Sequence, residues 1–355
     1  MNDTPLKALV VDDSALYRKI VREVLLQIPG IEVIGTAING RAAMDRIVAE
    51  KPDLITLDLE MPELDGLGLL RELSARGLDT KSIMISALTT TGAQATNTAL
   101  RLGAFDFVLK PSASSPDQNA TLLREQLEPK IAACALTRRA KQSSPRPAPV
   151  VPAAAAQKEF ATPEIFGIGV STGGPVALTR ILPKLPGDFP CPIVVVQHMP
   201  PMFTKSLADD LNRVCQLEVL EAYDGCPVDR GKILIAPGGK QMRLVMVKGS
   251  PVVQITDDAP ERNCKPAVDY LFRSIAQHFG PKAAGVILTG MGDDGAIGCE
   301  LMKQKGARII AQDQETCVVY GMPKSVADAG LVDHVEPLER IVPRMLACVR
   351  YGAGI

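Results

Sequence analysis

Hydrophobic and polar positions along this chain follow two periods that take turns. In the first third, short apolar runs rich in β-branched residues occur five times: ALVV (8–11), VIGTA (33–37), LITLD (54–58), IMIS (83–86) and DFVLK (106–110). Between them lie stretches such as YRKIVREVLLQI, AAMDRIVAEK and LGLLRELSAR, whose apolar residues recur every three to four positions. Strand alternating with amphipathic helix predicts an α/β unit with a parallel sheet covered on both faces. The same alternation returns later in IFGIGV, PIVVVQH, KILIAP, AGVILTG and ARIIAQ, separated by VALTRILPKL, FTKSLADDLNRV, AVDYLFRSIAQHF and IGCELMKQKG. That predicts a second doubly wound α/β domain with a mostly parallel sheet. MRLVMVKGSPVVQIT adds an antiparallel hairpin. Both periods fail between 138 and 160, where RRAKQSSPRPAPVVPAAAAQKEF reads as a semi-rigid linker. The predicted division is a first domain over 5–130, an interdomain helix end and Pro/Ala-rich linker over 131–161, and a second domain over 162–355.

Composition narrows the classes. The 355 residues are 46% hydrophobic and 22% charged with a net charge of −1, so nothing favours nucleic acid or an anionic membrane. No apolar run approaches the ~20 residues that span a bilayer. The start, MNDTPLKALVVDDS, carries acid where a secretory signal has basic residues. A cytoplasmic protein without membrane insertion is expected. The eight cysteines show no C-x-x-C pair and no metal-ligand spacing, which reads as reduced thiols.

Loops at the carboxyl ends of parallel strands build sites in such sheets. In the first domain Asp12 and Asp13 follow the first strand, Asp58 ends the third, Ser86 ends the fourth, and Lys110 closes the fifth. Taken singly, each acid reads as a helix cap or a solvated loop residue. Three at one edge repel one another unless a hard cation such as Mg²⁺ sits among them. With VVDDS, LDLEMPELDG and LKPS in this order, residues 5 to about 130 resemble the receiver domain of a two-component response regulator, a flavodoxin-like five-stranded fold. That resemblance implies that Asp58 accepts a phosphoryl group from a histidine kinase. It also implies that Asp12, Asp13, Asp58 and the Glu60 carbonyl hold Mg²⁺, that Ser86 and Phe107 switch, and that Lys110 pairs with the phosphate.

In the second domain the decisive stretch is GIGVSTGGPVAL, Gly167 to Leu178. A dinucleotide fingerprint fails because its third glycine comes one residue late, and a P-loop fails for want of a lysine. G-x-S-x-G fits from Gly169 to Gly173, although so short a pattern also describes a turn or N-cap serine. A serine nucleophile needs a base and a group that orients the base. Of three histidines, His278 lies on a helical run and His334 in a solvated-looking segment near the C-terminus. His198 ends the apolar strand of VVVQHMPP, one strand edge from Ser171. Asp293 and Asp294 follow a third strand in VILTGMGDDGAIG, where glycines leave room for backbone N–H groups to face an oxyanion. Two adjacent carboxylates are expected to raise one of their pKa values.

Together GIGVSTGGP, VVVQHMP, ILIAPGG, LTGMGDDGA and AQDQETCVVYGMP resemble the catalytic domain of the chemotaxis protein-glutamate methylesterases. The resemblance implies Ser171 as nucleophile, His198 as base and Asp294 as its orienter, with oxyanion donors on the backbone at Thr172 and Met291. It further implies hydrolysis of glutamyl γ-methyl esters on methyl-accepting chemoreceptors, with deamidation of receptor glutamines as a second activity, under control of receiver phosphorylation. No cofactor is expected for the ester chemistry. The alternative is a non-catalytic signalling module, a receiver joined to a nucleotide- or protein-binding domain.

Overall fold

The first five apolar runs form strands: the first, second and fourth begin two residues earlier than the pattern, the third matches it, and the fifth ends one residue sooner. In chain order these elements are β1 Leu6–Val11, α1 Ala15–Leu26, β2 Ile31–Ala37, α2 Gly40–Glu50, β3 Leu54–Asp58, α3 Gly66–Ala75, β4 Lys81–Ser86, α4 Thr90–Arg101, β5 Asp106–Leu109 and α5 Pro116–Gln142. All neighbouring strands pair in parallel in the order β2-β1-β3-β4-β5. The order reverses between β1 and β3, so a crevice opens beyond their carboxyl ends. Polar side chains start four of the helices: Ser14 accepts from Tyr17 N, Asn39 from Ala42 N, Asp65 from Gly68 N and Thr89 from Gly92 N. With those N-caps supplied elsewhere, Asp12, Asp13 and Asp58 are not needed for that task.

This computed structural model describes residues 4–142 and 160–350, in two units, Met1–Ser144 and Pro145–Ile355. Helix α5 carries regular structure through Gln142, into the stretch that reads as linker from 138. The Pro/Ala-rich remainder, 143–159, lies outside the described residues.

The second unit contains β6 Ile165–Val170, α6 Gly174–Ile181, β7 Ile193–Gln197, α7 Phe203–Asn212, β8 Glu218–Glu221, β9 Lys232–Ile235, β10 Gln241–Val247, β11 Ser250–Thr256, α8 Val268–Phe279, β12 Ala283–Ile287, α9 Ala296–Gln304, β13 Arg308–Gln312, α10 Met322–Asp328, β14 His334–Glu336 and α11 Leu338–Arg350. Seven strands form one sheet in the order β14-β13-β12-β6-β7-β9-β8, every pair parallel. β6, β7 and β12 at its centre are buried along their whole lengths. The expected hairpin forms from β10 and β11 and docks on α8, where Leu244 N donates to Ser274 Oγ at 3.0 Å. Helix α8 lies so close over β6 that a Cβ on Gly169 would stand 2.5 Å from Val268 Cγ1. That contact brings the start of α8 to the strand end that carries Ser171.

His334 departs from its expected solvated setting. It pairs with Ile310 on the edge strand β14, is half-buried, and its pKa is lowered by burial and then by Arg344 and Arg308.

Candidate functional site

At the carboxyl edge of the first sheet, Asp58 ends β3 and Asp12 follows β1, both buried; Asp13, beside Asp12, is exposed. One oxygen from each lies within 4.8 Å of the others. Lys110 Nζ stands 2.8 Å from Asp58 Oδ2 and 3.5 Å from Asp12 Oδ2. Backbone amides hold the other oxygens: Leu59 N donates to Asp58 Oδ1 at 2.9 Å and Ser14 N to Asp12 Oδ1 at 2.8 Å. Asp12 Oδ2 is buried and accepts no hydrogen bond, since Lys110 reaches it at ion-pair distance only. Burial pushes both carboxyl groups above their ordinary range, and Lys110 opposes the shift without cancelling it. A buried carboxylate oxygen without a donor, beside two more carboxylates, fits a hard oxygen-seeking cation.

Glu60 is exposed two residues beyond Asp58. Ser86 is buried at the end of β4, its Oγ donating weakly to Ala87 O and Gly92 O at 3.3 Å each, while its carbonyl accepts from Lys110 N at 2.7 Å. Phe107 is buried on β5, with Lys130 Nζ 5.9 Å from its ring centre.

At the carboxyl edge of the second sheet, Ser171 follows β6 and His198 follows β7. Val170 pairs with Gln197, and His198 N donates to Val170 O at 3.1 Å, so the two residues leave adjacent strands side by side. From the other neighbour, the loop after β12, Thr289 O accepts from Ser171 N at 3.0 Å. Gly290 must be glycine here, because an added Cβ would stand 2.8 Å from Ser171 Cβ. Asp294 comes from the same loop, and its Oδ2 lies 2.7 Å from His198 Nε2.

In the neutral ring the bond to Asp294 fixes the tautomer: Nε2 carries the proton and Nδ1 is left with its lone pair. Burial works against a charged ring, but Asp294 and then Cys264 outweigh it and push the His198 pKa up to about 9. For Asp294, burial opposes ionisation, yet His198 and two amides prevail and hold the carboxyl below its usual range. The expectation that the Asp293–Asp294 pair raises one of the two is therefore wrong for Asp294. Asp293 turns outward and pairs with Arg262. The carboxyl that burial does raise is Asp269. Among the described residues no hydrogen bond joins the Ser171 hydroxyl to the ring. Thr172 is buried, its carbonyl accepting from Thr289 Oγ1 at 3.0 Å. Met291 is half-buried on the Asp294 loop.

Four residues here escape sequence reasoning. Asp294 accepts from Val268 N at 2.7 Å and Asp269 N at 2.9 Å, at the start of α8. Asp269 in return accepts from Gly295 N at 3.0 Å and Gly298 N at 2.7 Å, at the start of α9. Each aspartate thus satisfies amides of the other's helix. Arg262 Nε donates to Asp269 Oδ2 at 3.2 Å. Gln197 Nε2 donates to Ser171 O at 3.0 Å, and Cys264 Sγ lies 3.7 Å from His198 Nδ1. An aspartate at the third position of the predicted helix AVDYLFRSIAQHF was a visible signal for Asp269. Nothing in the spacing pointed to Cys264.

Residues 8–119 match the response regulator receiver domain family, and residues 166–345 match the CheB methylesterase family. Fold and matches together define a response regulator whose output unit is a hydrolase; a merely binding output is not favoured. A protein-glutamate methylesterase/protein-glutamine glutaminase of Desulfotalea psychrophila is 48% identical over 360 residues, covering 97% of this chain and 99% of that protein. A counterpart in Vibrio cholerae is 42% identical over 372 residues, covering 96% and 98%. The crystal structure of the Thermotoga maritima CheB methylesterase catalytic domain, 45% identical, covers 53% of this chain and 99% of its own with a TM-score of 0.52. The chain belongs to the protein-glutamate methylesterase/protein-glutamine glutaminase family. Among the described residues no helix is long and apolar enough to cross a membrane.

Proposed function

We propose that the second unit hydrolyses glutamyl γ-methyl esters of methyl-accepting chemoreceptors in the cytoplasm, with Ser171 as nucleophile, His198 as base and Asp294 as orienter. What carries this reading is the 2.7 Å bond from His198 to Asp294 at a strand end beside Ser171. Ser171 Oγ attacks the ester carbonyl as its proton passes to His198 Nδ1, the nitrogen that Asp294 leaves unprotonated. The imidazolium that forms is stabilised by the buried carboxylate. Main-chain N–H groups at Thr172 and Met291 meet the oxyanion. The tetrahedral intermediate collapses as Nδ1–H protonates the methoxy oxygen, and methanol leaves. Water, deprotonated by Nδ1, then splits the glutamyl-serine ester, and Ser171 regains its proton. A primary amide passes through the same steps and releases ammonia, which gives the glutaminase activity.

The proposed domains are 5–130 and 162–355, joined by 131–161. In the first, a chemotaxis histidine kinase serves as phosphodonor and Asp58 as acceptor. Asp12, Asp13, Asp58 and the Glu60 carbonyl would hold Mg²⁺, which would neutralise the incoming phosphoryl group; the buried Asp12 Oδ2, which accepts no hydrogen bond, supports this. Lys110 would pair with the phosphate, and Ser86 and Phe107 would reorient around it.

The test compares wild type with Ser171→Ala on methyl-labelled receptor membranes, with and without acetyl phosphate and Mg²⁺. Methanol release that the donor stimulates and the variant lacks is the expected result. Equal release by the variant would remove Ser171 from the mechanism.

A further inference from the structure

Cys264 occupies a place that ester hydrolysis does not use. It closes a two-residue hairpin in which Cys264 N donates to Glu261 O at 2.7 Å and Glu261 N to Cys264 O at 3.1 Å. Arg262 and Asn263 between them hold φ of 48° and 60°, the left-handed pair of a type I′ turn. Arg262 ties the turn to Asp269 and Asp293. The thiol is thereby anchored 3.7 Å from His198 Nδ1, and it is half-exposed.

That separation has a chemical meaning. Tetrahedral zinc binds imidazole nitrogen at about 2.0–2.1 Å and thiolate sulfur at about 2.3 Å, which sets the two donors about 3.6 Å apart. Sγ and Nδ1 already stand at that spacing. Metal-bound imidazole characteristically donates its other ring N–H to a carboxylate, which fixes the tautomer and raises the basicity of the ligating nitrogen. Asp294 at Nε2 provides that arrangement. The donor atoms of His198, Cys264 and Asp294 lie within 4.8 Å of one another. Among the described residues no other cysteine joins a group of three such donors.

We propose that His198 Nδ1 and Cys264 Sγ chelate Zn²⁺, with Asp294 as the carboxylate behind the histidine, and that the bound ion reversibly shuts off ester hydrolysis. On binding, the Cys264 thiol releases its proton to solvent, and a charged His198 ring releases its Nδ1 proton as well. Zn–S and Zn–N bonds replace two water ligands of the ion, and water fills its remaining positions. No electron is transferred. Nδ1 is the nitrogen that must take the Ser171 proton, so zinc and substrate turnover exclude each other. The binding half stands on geometry; the inhibition half rests on the proposed role of His198 as base.

The full-length protein would be titrated with Co²⁺ under saturating Mg²⁺, which occupies hard oxygen sites, and then back-titrated with Zn²⁺. A near-ultraviolet thiolate-to-Co²⁺ charge-transfer band is expected, erased by Zn²⁺ and missing from Cys264→Ala, Cys264→Ser and His198→Ala. Without phosphodonor, Zn²⁺ should suppress methanol release by wild type and EDTA restore it. Each Cys264 variant should need at least tenfold more Zn²⁺ for the same fractional inhibition. No band at millimolar Co²⁺, or a band that survives in both Cys264 variants, would overturn the site. Equal zinc sensitivity of wild type and the variants would overturn its control of the reaction. A Cys264-dependent band in a protein that hydrolyses no receptor ester would support the metal site and strike instead at the proposed function.

Discussion

Both units place carboxylates just beyond the carboxyl ends of parallel strands, yet the two edges treat those carboxylates in opposite ways. In the first, burial raises Asp12 and Asp58, and one oxygen of Asp12 has no donor. In the second, Asp294 is equally sunk in the protein but accepts from His198, Val268 and Asp269, and its carboxyl is lowered. The first edge is short of positive charge and of donors, which suits it to an incoming cation. The second is complete, which suits it to holding a ring in one orientation. Topology supplies the location in both; the count of donors decides the chemistry.

The largest expected effect on this contrast comes from making the complete edge incomplete. Asp294→Asn preserves shape but removes the charge that stabilises the imidazolium, and should lower kcat by a factor on the order of 10²–10⁴. It should also move the pH profile. The base works when neutral, so kcat/KM rises with pH through the His198 pKa, pushed up to about 9 in the wild type. Without the carboxylate that pKa falls, and the rising limb shifts toward acid. A limb that stays in place would show that Asp294 does not set it.

A smaller effect tests the other edge. Asp58→Asn should abolish the extra methanol release caused by acetyl phosphate and Mg²⁺, while the release seen without donor persists. Donor stimulation that survives in this variant would reassign the acceptor. The smallest effect is on stability. A ligand at ten times its Kd stabilises the state that binds it by about 1.4 kcal/mol, so Mg²⁺ should raise the Tm of the receiver transition by a few degrees. The transition of the second unit should not move, and Asp12→Ala should erase the receiver's gain.

Much of this was legible in the sequence for physical reasons that also explain the gaps. β6, β7 and β12 are buried throughout, so each reads as a β-branched run bounded by turn residues. β8 is the four residues EVLE and β14 the three residues HVE, both at sheet edges, where half-exposed positions need no apolar run. The strand ends exposed Ser171, His198 and Asp294 as candidates because a parallel sheet collects its loops at one edge. Cys264 comes to His198 from a hairpin 66 positions away, and a spacing pattern within one loop cannot register such an approach. The exchange between Asp294 and Asp269 is likewise a product of the starts of α8 and α9 meeting each other, visible only once the two helices are packed together.

That exchange bears on how such a protein can change over generations. Active-site acids commonly strain the fold that carries them, so that removing one stabilises it. Asp294 does the reverse: without it two buried amides at the start of α8 lose their acceptor, at about 1–3 kcal/mol each. Asp294→Ala should therefore melt at lower temperature than wild type, whereas Ser171→Ala should not. A descendant that had abandoned hydrolysis would be free to lose its serine but would still be held to this aspartate, and the surviving acid would testify to folding rather than to catalysis.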